Sequence, residues 1–233
     1  MPELDAIYIN EAEQYQRLVG REDYEGNILR AIQALTPLEG RTVVEFGAGT
    51  GRLTMLLAPH VRLIEAYDTS EAMLAVARHR LQDAGLENWR LAVADHRKVP
   101  AADHSADLAI AGWTICYMAV WHPETWRDEL ATALGQMERV TKPGGLIVIL
   151  ETLGTGHETP SPPTDLLEYF GALEAAGFQS APIRTDYQFE SLAEAEELTR
   201  FFFGAELADR VAAEGLRILP ECTGVWWRRL PEA

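Results

Sequence analysis

Val43-Val-Glu-Phe-Gly-Ala-Gly-Thr-Gly-Arg-Leu-Thr54 is the stretch on which the fold turns. Val43 to Phe46 is a short apolar run broken by one acid, Glu45. Gly47 to Gly51 forms a G-x-G-x-G loop. Leu53, Leu56 and Leu57 then share one face of a helix expected to start near Thr50. Strand, glycine loop and helix make the first unit of a ligand-binding α/β sheet. The loop lets a ligand approach bare main chain, and the helix start adds free N–H groups and partial positive charge. The dinucleotide fingerprint G-x-G-x-x-G would require glycine where Arg52 stands.

Outward from this stretch, apolar runs alternate with helical patterns. The first strand is expected at Thr42–Phe46 and the second at Arg62–Tyr67, ending in Asp68. Ser70 then caps a helix carrying Met73, Leu74, Ala77 and Leu81 on one face. The third strand, Trp89–Ala94, ends in Asp95, and the fourth, Ala106–Ala111, runs into Gly112 and Trp113. A long helix over about Pro123–Val140 stops at Lys142-Pro-Gly-Gly145. The wholly apolar Leu146–Leu150 reads as a central strand buried on both faces. Alternation of this kind implies right-handed crossovers and a parallel sheet.

The chain of 233 residues suits one α/β domain with decorations. Its 36 acids against 20 bases give a net charge of −16, which is repelled by phosphate backbones and anionic membranes. Nucleic acid and membrane are therefore not expected partners. Two cysteines, Cys116 and Cys222, are too few for a disulfide framework and read as buried thiols. The first ten residues carry acids and no apolar segment, and no apolar run approaches the ~20 residues needed to span a bilayer. A cytoplasmic protein is expected, without a metal, because no Cys/His grouping has ligand spacing.

Ligands bind at the carboxyl ends of parallel strands. Here those ends carry Glu45, Asp68 and Asp95 on three successive strands, with Gly112 and Trp113 on the fourth. Together with the E-x-G-x-G-x-G loop and the K-P-G-G turn, this pattern resembles the class I S-adenosylmethionine-dependent methyltransferases over about residues 40–151. The resemblance implies a Rossmann-like doubly wound sheet of seven strands, mostly parallel, with helices on both faces and an antiparallel last strand near Thr223–Arg229. It implies S-adenosylmethionine as cofactor and S-adenosylhomocysteine as product.

For such a cofactor, Asp68 would accept from the ribose hydroxyls with Thr69 beside it. Asp95 would accept from the adenine amine and the His96 N–H would donate to the ring. Glu45 and the Gly112 carbonyl would hold the ammonium of the amino-acid tail. Gly47, Ala48, Gly49 and Gly51 would form the floor, and Trp113 a wall. Asp68 would serve the ribose of NAD equally well, Asp68 and Ser70 also read as a helix cap, and Asp95 also reads as capping a turn before Arg97. The functions in view are methyl transfer to a small molecule, a nicotinamide-dependent oxidation, or a non-catalytic methyltransferase-like subunit.

Residues 1–40 form a helical preface that reads as a lid bearing Tyr8, Tyr15, Arg21 and Tyr24, or as plain packing. Tyr15 and Arg21 are further cofactor candidates. Residues 41–233 form the methyltransferase domain, with a helical insertion at 190–214 whose Phe201–Phe203 read as a substrate wall or as core. Tyr117, His122, Glu151 and His157 are the titratable residues after the fourth and fifth strands, and Tyr117 and His157 are the candidates for a catalytic base. The acceptor and the oligomeric state are not legible.

Overall fold

The computed structural model describes residues 10–232; Tyr8 lies outside them. Helices α1 (Ala12–Val19) and α2 (Asn27–Leu35) precede β1 (Thr42–Phe46), α3 (Arg52–Leu57), β2 (Leu63–Asp68), α4 (Glu71–Asp83), β3 (Trp89–Val93) and β4 (Ala106–Gly112). There follow α5 (Tyr117–Trp121), α6 (Trp126–Val140), β5 (Thr141–Thr155), α7 (Leu167–Ala175), β6 (Gln179–Arg184) and β7 (Tyr187–Gln188). The chain ends with α8 (Leu192–Phe203), α9 (Ala205–Glu214), β8 (Ile218–Leu219) and β9 (Glu221–Arg229).

Seven strands form one sheet in the order β3-β2-β1-β4-β5-β9-β6. Pairs among the first five strands are parallel, and β9 runs antiparallel to both β5 and β6. This is the Rossmann-like arrangement with an antiparallel last strand. The two-residue periodicity of the strands splits the core. Val44, Phe46, Ala109, Ala111, Ile147 and Ile149 face α6 and α7 on one side. Val43, Leu108, Ile110, Leu146, Val148 and Leu150 face Ile28 and Ile32 of α2 and Leu53 and Leu57 of α3 on the other. Glu45 shares the face of Val43, so it turns toward α3.

The preface divides in two. Helix α2 is part of the main core, whereas α1 sends Ala12 to Met73 and Val76 of α4 and Leu18 into a separate cluster. That cluster joins Ala195 and Leu198 of α8, Val211 of α9, and the small β7–β8 ladder. Two ion pairs from Arg21, to Glu190 at 2.6 Å and Glu194 at 2.8 Å, tie the end of α1 to the insertion.

Three boundaries differ from expectation, one of them the start of β5, which lies at Thr141, pairs there with Ala106 and takes in the Lys142–Gly145 turn expected to precede it. The long helix begins only at Trp126, because α5 takes Tyr117–Trp121 as a separate turn. Strand β5 continues five residues past Leu150, because Glu151, Thr152 and Thr155 pair with Gly224, Thr223 and Glu221 of β9. No apolar pattern marks this extension; only the partner strand creates it. Among the described residues no helix is long and apolar enough to cross a membrane.

Candidate active site

The glycine loop turns between β1 and α3 with its geometry set by close neighbours. The N–H groups of Gly47 and Ala48 donate to the Tyr67 carbonyl at 2.8 and 2.9 Å. Gly47 has φ +72°, and an added Cβ would lie 2.2 Å from the Thr114 hydroxyl oxygen, so β4's end packs directly on the loop. At Gly49, φ is +52° and a Cβ would meet nothing within 4 Å. Its N–H donates to Asp68 at 2.8 Å, and the other Asp68 oxygen accepts from Ser70 N–H at 2.8 Å. Ser70 in turn accepts from Met73 N–H at 3.3 Å and caps α4. Asp68 thus fastens the loop and the following helix at once, while burial raises its pKa.

Above the loop lies a cavity of about 240 Å³. It brings together Glu45, Gly47, Ala48 and Gly49 from the first strand end and Asp68 and Thr69 from the second. Asp95 and His96 come from the third, Gly112 and Trp113 from the fourth, and Tyr15 from α1. Glu45 is 1% exposed and accepts from the Thr54 hydroxyl at 2.6 Å. No ion pair engages it among the described residues, and burial pushes its carboxyl up to about 8. Burial also pushes the Tyr15 phenol up to about 12. Helix α1 is tied to the loop through the Thr50 hydroxyl, which donates to Gln16 at 2.6 Å.

Three sequence candidates sit elsewhere. Gly51 does not line the cavity; a Cβ there would come 2.9 Å from the Ala77 Cβ, so this glycine packs α3 on α4. Arg21 points away, into its ion pairs with Glu190 and Glu194 of the insertion, and lines neither cavity. His157 is exposed and lines neither cavity; its carbonyl accepts from the Cys222 thiol at 3.5 Å. Asp95 does line the cavity, but both its oxygens also engage Arg97. The contacts are 2.8 Å to Nε and 2.6 Å to Nη2, and this pairing first of all holds the Asp95 carboxyl down at about 2. Arg97 continues to Glu129 at 3.0 Å and Glu129 to His122 at 2.8 Å, forming a polar rim.

A second cavity, of about 290 Å³, adjoins the first. The two share Tyr15, Arg52, Trp113 and Tyr117. Trp113 has φ +51°, a left-handed conformation that for a tryptophan costs roughly 1–3 kcal/mol. It swings the indole into the partition, where the Arg52 guanidinium covers it at 3.7 Å. Arg52 Nη2 reaches Glu22 Oε1 at 2.8 Å, with the Glu22 side chain only 3% exposed.

Leu18, Val19, Val120, Leu166, Phe202 and Phe203 make the second cavity largely apolar. Glu221, Thr152 and Tyr187 add polar groups that the sequence reading missed. The antiparallel course of the last strand was the available signal, since it puts that strand's start at the ligand end. Glu151 is buried and lines neither cavity. It accepts from Cys116 N–H at 3.1 Å and the Tyr169 hydroxyl at 2.9 Å, and burial pushes it up to about 7.

Residues 44–149 match the family model described as a methyltransferase domain. The chain is 35% identical over 119 residues to a demethylmenaquinone methyltransferase of Clavibacter sepedonicus, covering 51% of this chain and 44% of that protein. It is 35% identical over 115 residues to a ubiquinone/menaquinone biosynthesis C-methyltransferase of Burkholderia cenocepacia, covering 48% and 43%. The matched part thus spans less than half the length of either relative. A crystal structure of an S-adenosylmethionine-dependent methyltransferase from Aquifex aeolicus superposes with a TM-score of 0.57. It is 18% identical, and the match covers 97% of this chain and 93% of that one. That likeness is one of fold. Residues 44–149, which hold the glycine loop and the four strand ends, match a methyltransferase domain, and the fold is the one seen in the Aquifex aeolicus methyltransferase.

Proposed function

We propose that the chain binds S-adenosylmethionine in the first cavity and that a small, largely apolar acceptor receives the methyl group from the side of the second. When bound, the cofactor supplies a methyl group on a positively charged sulfur, activated for in-line displacement. The residues of this chain then have three tasks: to orient, to exclude water and to remove any proton the acceptor must lose. Asp68 and Thr69 would hold the ribose, Asp95 and His96 the adenine, and Glu45 with the Gly112 carbonyl the ammonium. Asp95 keeps acceptor capacity for an adenine amine, since a carboxylate offers about four lone-pair sites and Arg97 takes part of them.

Two features support the fit. Gly49 opens onto unfilled space, so a ligand reaches bare main chain there. Glu45 is a buried carboxyl beside the loop with no cation already paired to it among the described residues, and an ammonium would satisfy it.

The observation that carries the reading is that one cavity gathers Glu45, Asp68 and Asp95 from three strand ends and shares its Trp113–Arg52 wall with a second, apolar one. In this scheme α1 and the 190–214 insertion close over the acceptor, and α2 belongs to the domain they cover. The names of the two relatives point to ring compounds of the quinone class, and the aromatic lining of the second cavity suits a flat ring. The −16 surface favours such a cytoplasmic small molecule over a nucleic acid.

Calorimetric titration with S-adenosylhomocysteine tests the assignment. The wild type should bind it and Asp68→Ala should not, with the circular dichroism spectrum retained. Unchanged affinity in the variant would sink the reading.

A further inference from the structure

One carboxylate in the second cavity has no task in the cofactor scheme. Glu221 opens β9, the strand that runs against its neighbours. Its start therefore lies beside the carboxyl end of β5, opposite Thr155, on the ligand side of the sheet. The residue is 2% exposed. Oε1 accepts from the Thr152 hydroxyl at 2.7 Å, whereas Oε2 receives no well-formed hydrogen bond. A buried carboxylate oxygen without a well-formed hydrogen bond is costly, and Glu221 is one of the residues that line the second cavity.

The surroundings narrow what can satisfy it. Glu22 and Asp165 are the other acids of the cavity, and Glu22 is taken by Arg52. Trp113, Tyr187, Phe202 and Phe203 present aromatic surface. A matching guest is flat and apolar and carries one proton donor at its edge.

We propose that Oε2 of Glu221 accepts the hydroxyl proton of an aromatic acceptor, a phenol or enol, seated in the second cavity. This rests on the methyltransferase reading above. The proton passes from the hydroxyl oxygen to the carboxylate, which becomes neutral. The negative charge left on the acceptor cancels the positive charge of the sulfonium as the methyl group changes hands, so no further co-reactant is needed. Burial pushes the Glu221 carboxyl up to about 8, with Glu22 adding to the rise and Arg52 opposing it. A base in that range lies within about two units of a phenol near 10, a suitable match for proton transfer. The Thr155 and Thr152 hydroxyls of β5 hydrogen-bond the carboxylate and oppose the rise; the other groups around it are Tyr187 from β7, Asp165 on the cavity lining, and Asp186, which accepts the Glu221 N–H at 3.0 Å.

The test uses 2-naphthol and its methyl ether as probes, titrated into wild type and Glu221→Gln with S-adenosylhomocysteine present, between pH 6 and 8.5. Naphthalene fluorescence reports binding. Wild type should prefer the naphthol by about tenfold or more, as a hydrogen bond to a charged acceptor allows. The preference should grow as pH rises toward 8 and Glu221 ionises. Glu221→Gln should lose most of it at every pH while its affinity for S-adenosylhomocysteine stays within about twofold of the wild type, as expected for sites that do not share the residue. With S-adenosylmethionine, methylation of the naphthol should fall about 100-fold in kcat with KM little changed.

Equal preference in both proteins overturns the proposal. So does a wild-type preference that is flat with pH, or no binding of the naphthol; these need no variant. Failure of the wild type to bind S-adenosylhomocysteine overturns the methyltransferase reading instead, and this proposal with it.

Discussion

The guanidinium of Arg52 lies 3.7 Å from the ring centroid of Trp113 and is held there by Glu22 at 2.8 Å. This contact is the wall between the two cavities. It joins the helix after the glycine loop, the end of β4 and the turn after α1, three segments distant in sequence. Arg52→Met should leave Glu22 buried without its cation and cost about 3 kcal/mol, as breaking one side of a buried ion pair does. Arg52→Met combined with Glu22→Leu should recover most of that loss. Urea unfolding of the two single variants and the double variant measures the coupling; additive losses would contradict the pairing.

Cofactor binding should release a proton. Glu45 titrates at about 8 in the ligand-free site, so at pH 7 it is mostly protonated. An ammonium beside it favours the carboxylate and lowers that value, so affinity should rise with pH between about 6 and 8, by up to tenfold per unit. Calorimetry in two buffers of different ionisation heat should show up to about one proton released per site at pH 7. Glu45→Gln should abolish the release.

The ligand-free protein should lose stability as pH rises from about 4.5 to above 8. Glu45 and Glu221 are pushed to about 8 and Glu151 to about 7, each above the unfolded value near 4.5. In that window the folded state binds more protons than the unfolded chain, so the stabilisation from these groups is complete below the unfolded value and is lost through the folded ones. The slope is roughly 1.4 kcal/mol per pH unit for each proton of difference. Thermal melts from pH 5 to 9 check the direction, and Glu151→Gln should flatten the curve.

The two loop glycines should fail differently. Gly47→Ala drives a Cβ to 2.2–2.5 Å from the Thr114 side chain in a left-handed conformation. It should cost about 3 kcal/mol or more. Gly49→Ala meets only open space and should cost about 1 kcal/mol from backbone strain. Its loss should instead appear in S-adenosylhomocysteine affinity, because the methyl group projects where a ligand approaches. Melting temperature and calorimetry on both variants separate the two outcomes.

Much of the first cavity was legible in sequence because its parts are local. A glycine loop after a strand and an acid at a strand end are patterns a few residues long, and the parallel sheet rule puts such ends on one edge. Asp68 illustrates the limit. Its place was readable, but its double use in holding Gly49 and capping through Ser70 was visible only when both N–H groups were located. Arg21 and His157 lie away from both cavities for the opposite reason: each is a suitable residue type near the right edge, but tertiary partners or exposure decide where it points.

Sequence alone determined the order of strands and helices, the glycine loop, the acids on three strand ends and the net charge of −16, since these depend on periodicity, local backbone preference and composition. Tertiary structure decided the second cavity. Glu22, Arg52, Thr152, Tyr187 and Glu221 lie on five separate segments with no shared spacing. They meet only because β9 runs antiparallel and brings its first residue to the ligand side, and because β5 is drawn out to Thr155 to pair with it. Long-range strand pairing leaves no local mark on the residues it unites. Arg52, first read as a missing glycine, is therefore the residue whose role changed most.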